Sequence, residues 1–141
     1  MNRVKSICVI DGQGGGIGAT VIKQLKYLFE ERVEIIALGT NAIATAQMLK
    51  ARANRGASGE NAIVVTAPKA DIIIGSVGIV MANAMMGELT PGMAEAIASS
   101  PARKLLIPIS QENVVIVGAA SVPLPHLVDA LIDEHLAPLL E

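Results

Sequence analysis

The chain is almost without aromatic residues. Tyr27 and Phe29 are its only rings, and tryptophan is missing altogether. Binders of single-stranded nucleic acid stack bases on aromatic platforms, which this chain cannot build. A net charge of −2 over 141 residues offers no basic footprint either, so nucleic acid is excluded as an expected partner. Cysteine is nearly as scarce. Cys8 stands alone among Ile7, Val9 and Ile10, which rules out a disulfide framework or a thiolate cluster and reads as a small buried apolar residue. Membrane-length apolar runs are missing too. The longest charge-free stretches, Ile72–Gly87 and Asn113–Val128, have 16 residues each, whereas a span needs roughly 18 to 20 apolar residues. Glycines and Asn83 interrupt the first stretch, and Pro123, Pro125 and His126 the second. Near the start, Lys5, Asp11 and the glycines break any signal-peptide core. The expectation is a cytoplasmic protein with no membrane partner.

What the chain does have is aliphatic bulk. Hydrophobic residues make up 52% of it, with a mean hydropathy of +0.53, so one domain of Ile, Val, Leu, Ala and Met can bury a full core. Short apolar runs alternate with longer helical patterns, the signature of a parallel sheet covered on both faces. Strands are expected at Ile7–Ile10, Glu34–Leu38, Ile72–Gly75 and Leu105–Ile109. A further one, Val114–Val117, follows the turn Ser110–Asn113 closely enough for a hairpin, which makes it antiparallel. Helices are expected over Ile17–Glu31, from Asn41 to about Ala53, through Met81–Met86, from Thr90-Pro91 to Ser99, and over Pro125–Leu136. Thr90 as N-cap with Pro91 at the first helical position is a strong start signal. Asn61–Ala67 is compatible with strand or helix. A short helix is preferred, capped by Ser58 and closed by Pro68. Pro108 marks a sheet edge or bulge.

The segment Asp11-Gly12-Gln13-Gly14-Gly15-Gly16-Ile17-Gly18 joins a buried strand to an amphipathic helix. Glycines there let the backbone approach a ligand, and the helix start offers unpaired N–H groups and a positive dipole end to an anion. Gly14-Gly15-Gly16-Ile17-Gly18-Ala19 fits a G-x-G-x-x-A dinucleotide fingerprint. Gly12-x-x-x-Gly16-Ile17-Gly18 also resembles the turn of short-chain dehydrogenases. That likeness ends there, because Tyr27 is followed four residues on by Glu31 instead of a catalytic lysine. The alternative for the turn is structural: it packs helix closely on strand. Asp11 has three readings, namely a magnesium ligand, a base or nucleophile, or a side chain that accepts N–H bonds and fixes the turn.

Ligands of open parallel sheets sit beyond the carboxyl ends of the strands. Those ends supply Asp11, Gly39-Thr40-Asn41, Gly75-Ser76 and Gly78. NAD sites usually place an acid after the second strand, and Gly39-Thr40-Asn41 has none. NAD is therefore not favoured over NADP or another nucleotide. Arg52 and Arg55 do not compensate, since a helix from Asn41 to Arg52 carries them to the opposite end of the sheet. Glu88, in a loop overhanging the site, and His126, at a helix start, are the remaining catalytic candidates, with Glu60 behind them. His126 and His135 are nine residues apart and do not form a zinc pair. Met81, Met85, Met86 and Met93 read as core or subunit interface.

Asp11–Gly18, Ala37–Ala42, Ala53–Ala57, Gly59–Ile63, Gly87-Glu88 with Thr90-Pro91, and Pro123–His126 together resemble a family of short bacterial proteins known as a domain of unknown function. The resemblance covers nearly the full length. It implies a Rossmann-like fold and a bacterial cytoplasmic setting, and transfers no catalytic residue. The expected architecture is a three-layer Rossmann-like α/β sandwich with a mostly parallel sheet of five or six strands and an antiparallel C-terminal edge strand. The expected ligand is a nucleotide, dinucleotide or other phosphorylated small molecule at Gly12, Gln13, Gly14, Gly15, Gly16, Ile17 and Gly18, with Thr40, Asn41, Gly75, Ser76 and Gly78 beside it. Two alternatives stand next to this one. The first is a magnesium-dependent enzyme on a phosphorylated substrate, using Asp11 with Glu88 or His126. The second is a structural homo-oligomer, a dimer in its simplest form, joined through the Ala- and Met-rich helices at 78–98.

Overall fold

Strand β1, Lys5–Asp11, alternates its side chains between two apolar layers. Ile7 and Val9 enter one core, Cys8 and Ile10 the other. Such a strand, buried on both faces, can only be the middle of a covered parallel sheet. The computed structural model describes residues 3–109, 112–119 and 121–141. It places β1 at the centre of five parallel strands in the order β3-β2-β1-β4-β5. The others are β2, Val33–Gly39, β3, Arg55–Ser58, β4, Ile72–Ser76, and β5, Arg103–Ile107.

Helices cover both faces. On one side lie α1, Gly16–Phe29, α2, Ala42–Lys50, and the C-terminal helical segment. Val21, Ile22 and Leu25 of α1 and Met48 of α2 pack there on Ile7, Val9, Ile35 and Ile74. The C-terminal segment comprises α5, Leu124–Ala130, a π-helical stretch Leu131–Leu136, and α6, Ala137–Leu140. On the other side are α3, Glu60–Thr66, and α4, Pro91–Ser99, whose Ile63, Met93 and Ile97 meet Cys8, Ile10, Leu38 and Ile73. Burying each of these aliphatic side chains contributes about 1.5–3 kcal/mol, which is how a chain with only two aromatic residues holds two cores. The result is the expected three-layer Rossmann-like sandwich. Among the described residues no helix is long and apolar enough to cross a membrane.

Local chemistry explains most of the boundaries. The Asn41 side chain accepts the N–H of Ala44 at 2.8 Å and caps α2. Thr90 accepts the N–H of Met93 at 3.1 Å and caps α4, with Pro91 in the first turn. The segment around 61–67 is the short helix α3, although its N-cap is Gly59, not Ser58.

Four expectations are corrected. Among the described residues there is no antiparallel edge strand: Val114–Val117 lies unpaired, with Val115 85% and Val117 94% exposed. Four β-branched residues favour strand geometry, but nothing in the sheet receives them, and part of the expected hairpin turn falls outside the described residues. The edge strand beyond β2 is Arg55–Ser58, a stretch between two expected helices where no strand was expected. Residues 81–86 form turns, not a helix, because Asn83, Met85 and Met86 take left-handed backbone angles of φ 67°, 60° and 58°. Pro108 follows β5 directly instead of interrupting it.

Candidate functional site

The carboxyl ends of β1, β2 and β4 lie side by side, with Asp11 opposite Gly39 and Ser76 at the end of β4. The chain runs outward from β1 to β2 and β3 on one side and to β4 and β5 on the other. The crevice between β1 and β4 is therefore the topological switch point, where such sheets take their ligands.

The glycine turn divides into two kinds of position. Gly15 has φ +76°, and a Cβ there would lie 2.8 Å from the Ala44 carbonyl oxygen. Gly18 lets α1 settle on Met48 and on the Asp11 Cβ. Both serve the fold. Gly14 and Gly16 do not: neither has a positive φ, and a Cβ at either would meet nothing within 4 Å. Both are exposed, and their N–H groups meet no acceptor among the described residues.

Asp11 is 6% exposed and its carboxylate faces inward. Oδ1 accepts the N–H of Gly12 at 2.8 Å and Oδ2 that of Gly18 at 2.7 Å, with the N–H of Ile17 also facing it. Burial raises its pKa, the backbone N–H groups work against that rise, and nearby Glu88 adds to it. Of the three readings of Asp11, this geometry supports the one that fixes the turn. Among the described residues no group of three or more His, Cys, Asp or Glu side chains is placed to hold a metal.

Glu88 does reach the site. Its Oε1 accepts the N–H of Gln13 at 2.8 Å, the Thr40 hydroxyl at 2.7 Å and the Asn41 amide at 2.8 Å. These donors, with the Gln13 N–H first, hold its carboxyl below the usual glutamate range. The Thr40 N–H donates to the Asp11 carbonyl at 3.0 Å, which ties the ends of β1 and β2 together.

A cleft of about 80 Å³ opens below the turn, lined by Asp11, Gln13, Ile17, Ser76, Gly78 and Met85, among others. Small-molecule sites usually exceed roughly 300 Å³, so this cleft has room for only a fragment of such a molecule. Ser76 is 6% exposed overall and lines the cleft, and its hydroxyl, not sealed from solvent, makes no hydrogen bond among the described residues. Gly75 allows β1 and β4 to approach, since a Cβ there would lie 2.8 Å from the Ile10 carbonyl oxygen. Glu112 also lines the cleft and accepts the N–H of Met85 at 2.8 Å. It was not singled out in the sequence, where nothing but its charge marks it.

The other candidates lie elsewhere. His126 is exposed on the first turn of α5 and lines neither turn nor cleft. Glu60 accepts the Thr90 hydroxyl at 2.8 Å and joins α3 to α4. Arg55 opens β3 at the far end of the sheet and pairs with Glu34 at 3.1 Å. No curated protein matches the chain. A match to a family model extends over residues 6–139, and the chain thereby belongs to the DUF3842 family, a domain of unknown function.

Proposed function

We propose that the protein binds a nucleotide, a dinucleotide or another phosphorylated small molecule across Gly12–Gly18. The observation that carries this reading is the pair Gly14 and Gly16. Their N–H groups lack acceptors and they border open space, yet the fold needs glycine at neither. Exposed glycines weaken a turn by enlarging the unfolded ensemble, so their presence calls for a reason outside the chain. A phosphate seated on the backbone is such a reason, because a side chain at either position would occupy its space. The start of α1 adds about 0.3–1 kcal/mol for an anion placed there. The unpartnered Ser76 hydroxyl offers a donor or acceptor to the part of the ligand that enters the cleft.

The test is a thermal-shift panel of NAD, NADP, FAD, ATP, GTP and sugar phosphates, each with and without Mg²⁺. A ligand at about 100 times its Kd stabilises by about 2.7 kcal/mol, which raises Tm by roughly 5 to 15 °C for a domain of this size. Gly16→Val should fold, since its side chain meets open space, and should lose the shift. A shift that survives in Gly16→Val sinks the proposal, as does a flat panel.

A further inference from the structure

Glu88 approaches the turn from the loop after β4, and the chain bends hard to bring it there. Asn83, Met85, Met86 and Gly87 all have φ between 58° and 89°, a region that disfavours every residue but glycine. The carboxylate this delivers is tightly held. One oxygen collects the donors of Gln13, Thr40 and Asn41. Asn41 is itself fixed, its Oδ1 on the Ala44 N–H and its Nδ2 also on the Gln13 carbonyl at 3.1 Å. The second oxygen, Oε2, has no hydrogen bond among the described residues. A fixed acceptor with free lone pairs therefore stands at the end of β2, beside the glycine turn.

Dinucleotide-binding sheets need an acceptor at that place. There an acid after the second strand receives the ribose hydroxyls, and here the strand ends in Gly39-Thr40-Asn41 without one. We propose that Glu88, supplied from beyond β4 in place of a residue after β2, is the ribose-binding acid. Resting on the ligand reading above, this narrows the ligand to a nucleotide with a free ribose 2′-hydroxyl, of the NAD type, and against the 2′-phosphate of NADP. A hydroxyl donates to Oε2. A 2′-phosphate brings only acceptors and negative charge against an ionised carboxylate. Among the described residues no cation stands ready to receive it: Arg55 is at the opposite end of the sheet, paired with Glu34, and no Arg or Lys pairs with Glu88. On the other side of the turn, Ser76 of β4 lines the cleft with a hydroxyl that makes no hydrogen bond among the described residues.

Calorimetric titration of the full chain with NAD and NADP tests the assignment, in the wild type and in Glu88→Gln. The wild type should prefer NAD by about tenfold or more, the worth of one hydrogen bond to a charged acceptor. Glu88→Gln should bring the ratio close to one. The ratio is taken within each protein, so a loss of stability in the variant does not disturb it. Equal affinities in the wild type, a preference for NADP, or an unchanged ratio in Glu88→Gln overturns the role of Glu88 and leaves nucleotide binding standing. Binding of simple sugar phosphates alone overturns that role too, and leaves only the phosphate reading of the turn standing. If no phosphorylated ligand binds, the reading of the turn fails and Glu88 falls with it.

Discussion

Asp11 Oδ2 accepts the N–H of Gly18 at 2.7 Å, so the last residue of β1 caps the first turn of α1 from below. The local N-cap, Gly15, has no side chain to do this. Capping at a distance leaves the outer surface of the turn open, because the side chain that would ordinarily accept from the second or third helical N–H would stand over it.

Asp11→Ala should therefore be costly. It strands the buried N–H groups of Gly12 and Gly18, each worth about 1–3 kcal/mol when left unpaired. Tm should fall by roughly 5 to 10 °C, read by calorimetry or circular dichroism. A fall under a degree or two would show that the turn holds itself without Asp11.

The glycines of the turn should separate in the same assay. Gly15→Ala places a Cβ against the Ala44 backbone at positive φ, and we expect a loss of about 2 kcal/mol or more. Gly16→Ala meets open space on a helix and should be neutral or stabilise by up to about 1 kcal/mol. Equal losses at both positions would mean that Gly16 serves the fold after all.

Cys8 should be chemically silent. It is fully buried, and burial pushes its thiol up to about 12. Only the thiolate reacts readily, so an aromatic disulfide reagent at pH 8 should find no thiol in the native protein and one in denaturant. Rapid native labelling would show that β1 opens.

Acid should loosen the start of the chain. The Asp71 carboxylate accepts from Arg3 Nη1 at 2.7 Å and from the Ser6 N–H at 2.8 Å. Arg3, first among its partners, holds it well below the ordinary aspartate value. A depressed folded-state pKa contributes stability that is present above the unfolded value, near 3.8, and is lost as pH falls through the folded one. Wild type should exceed Asp71→Asn in stability at pH 7, and the gap should close below about pH 4. A gap that widens on acidification would reverse the sign and refute the pairing.

The strands that the sequence made legible are those whose burial leaves a pattern. β1, β2 and β4 read directly from runs such as Ile72-Ile73-Ile74, and α2 and α4 from the caps Asn41 and Thr90. β3 left no such trace. Arg55, Gly56, Ala57 and Ser58 are all exposed, and only their pairing with β2 makes them a strand. Val114–Val117 erred the other way, with strong β-propensity and no partner strand. At the site, the glycine turn and the overhanging Glu88 were foreseeable from position. The donors that Glu88 meets were not, because Gln13, Thr40 and Asn41 converge only through the register of β1 with β2.

The split within the glycine turn has a consequence for descent. Gly15 and Gly18 answer to the fold, whereas on the proposed reading Gly14 and Gly16 answer to a ligand above them. A lineage that abandons its ligand is free to drift at Gly14 and Gly16 while selection for folding still holds Gly15 and Gly18. Four neighbouring positions thus record separately whether the domain must fold and whether it must bind.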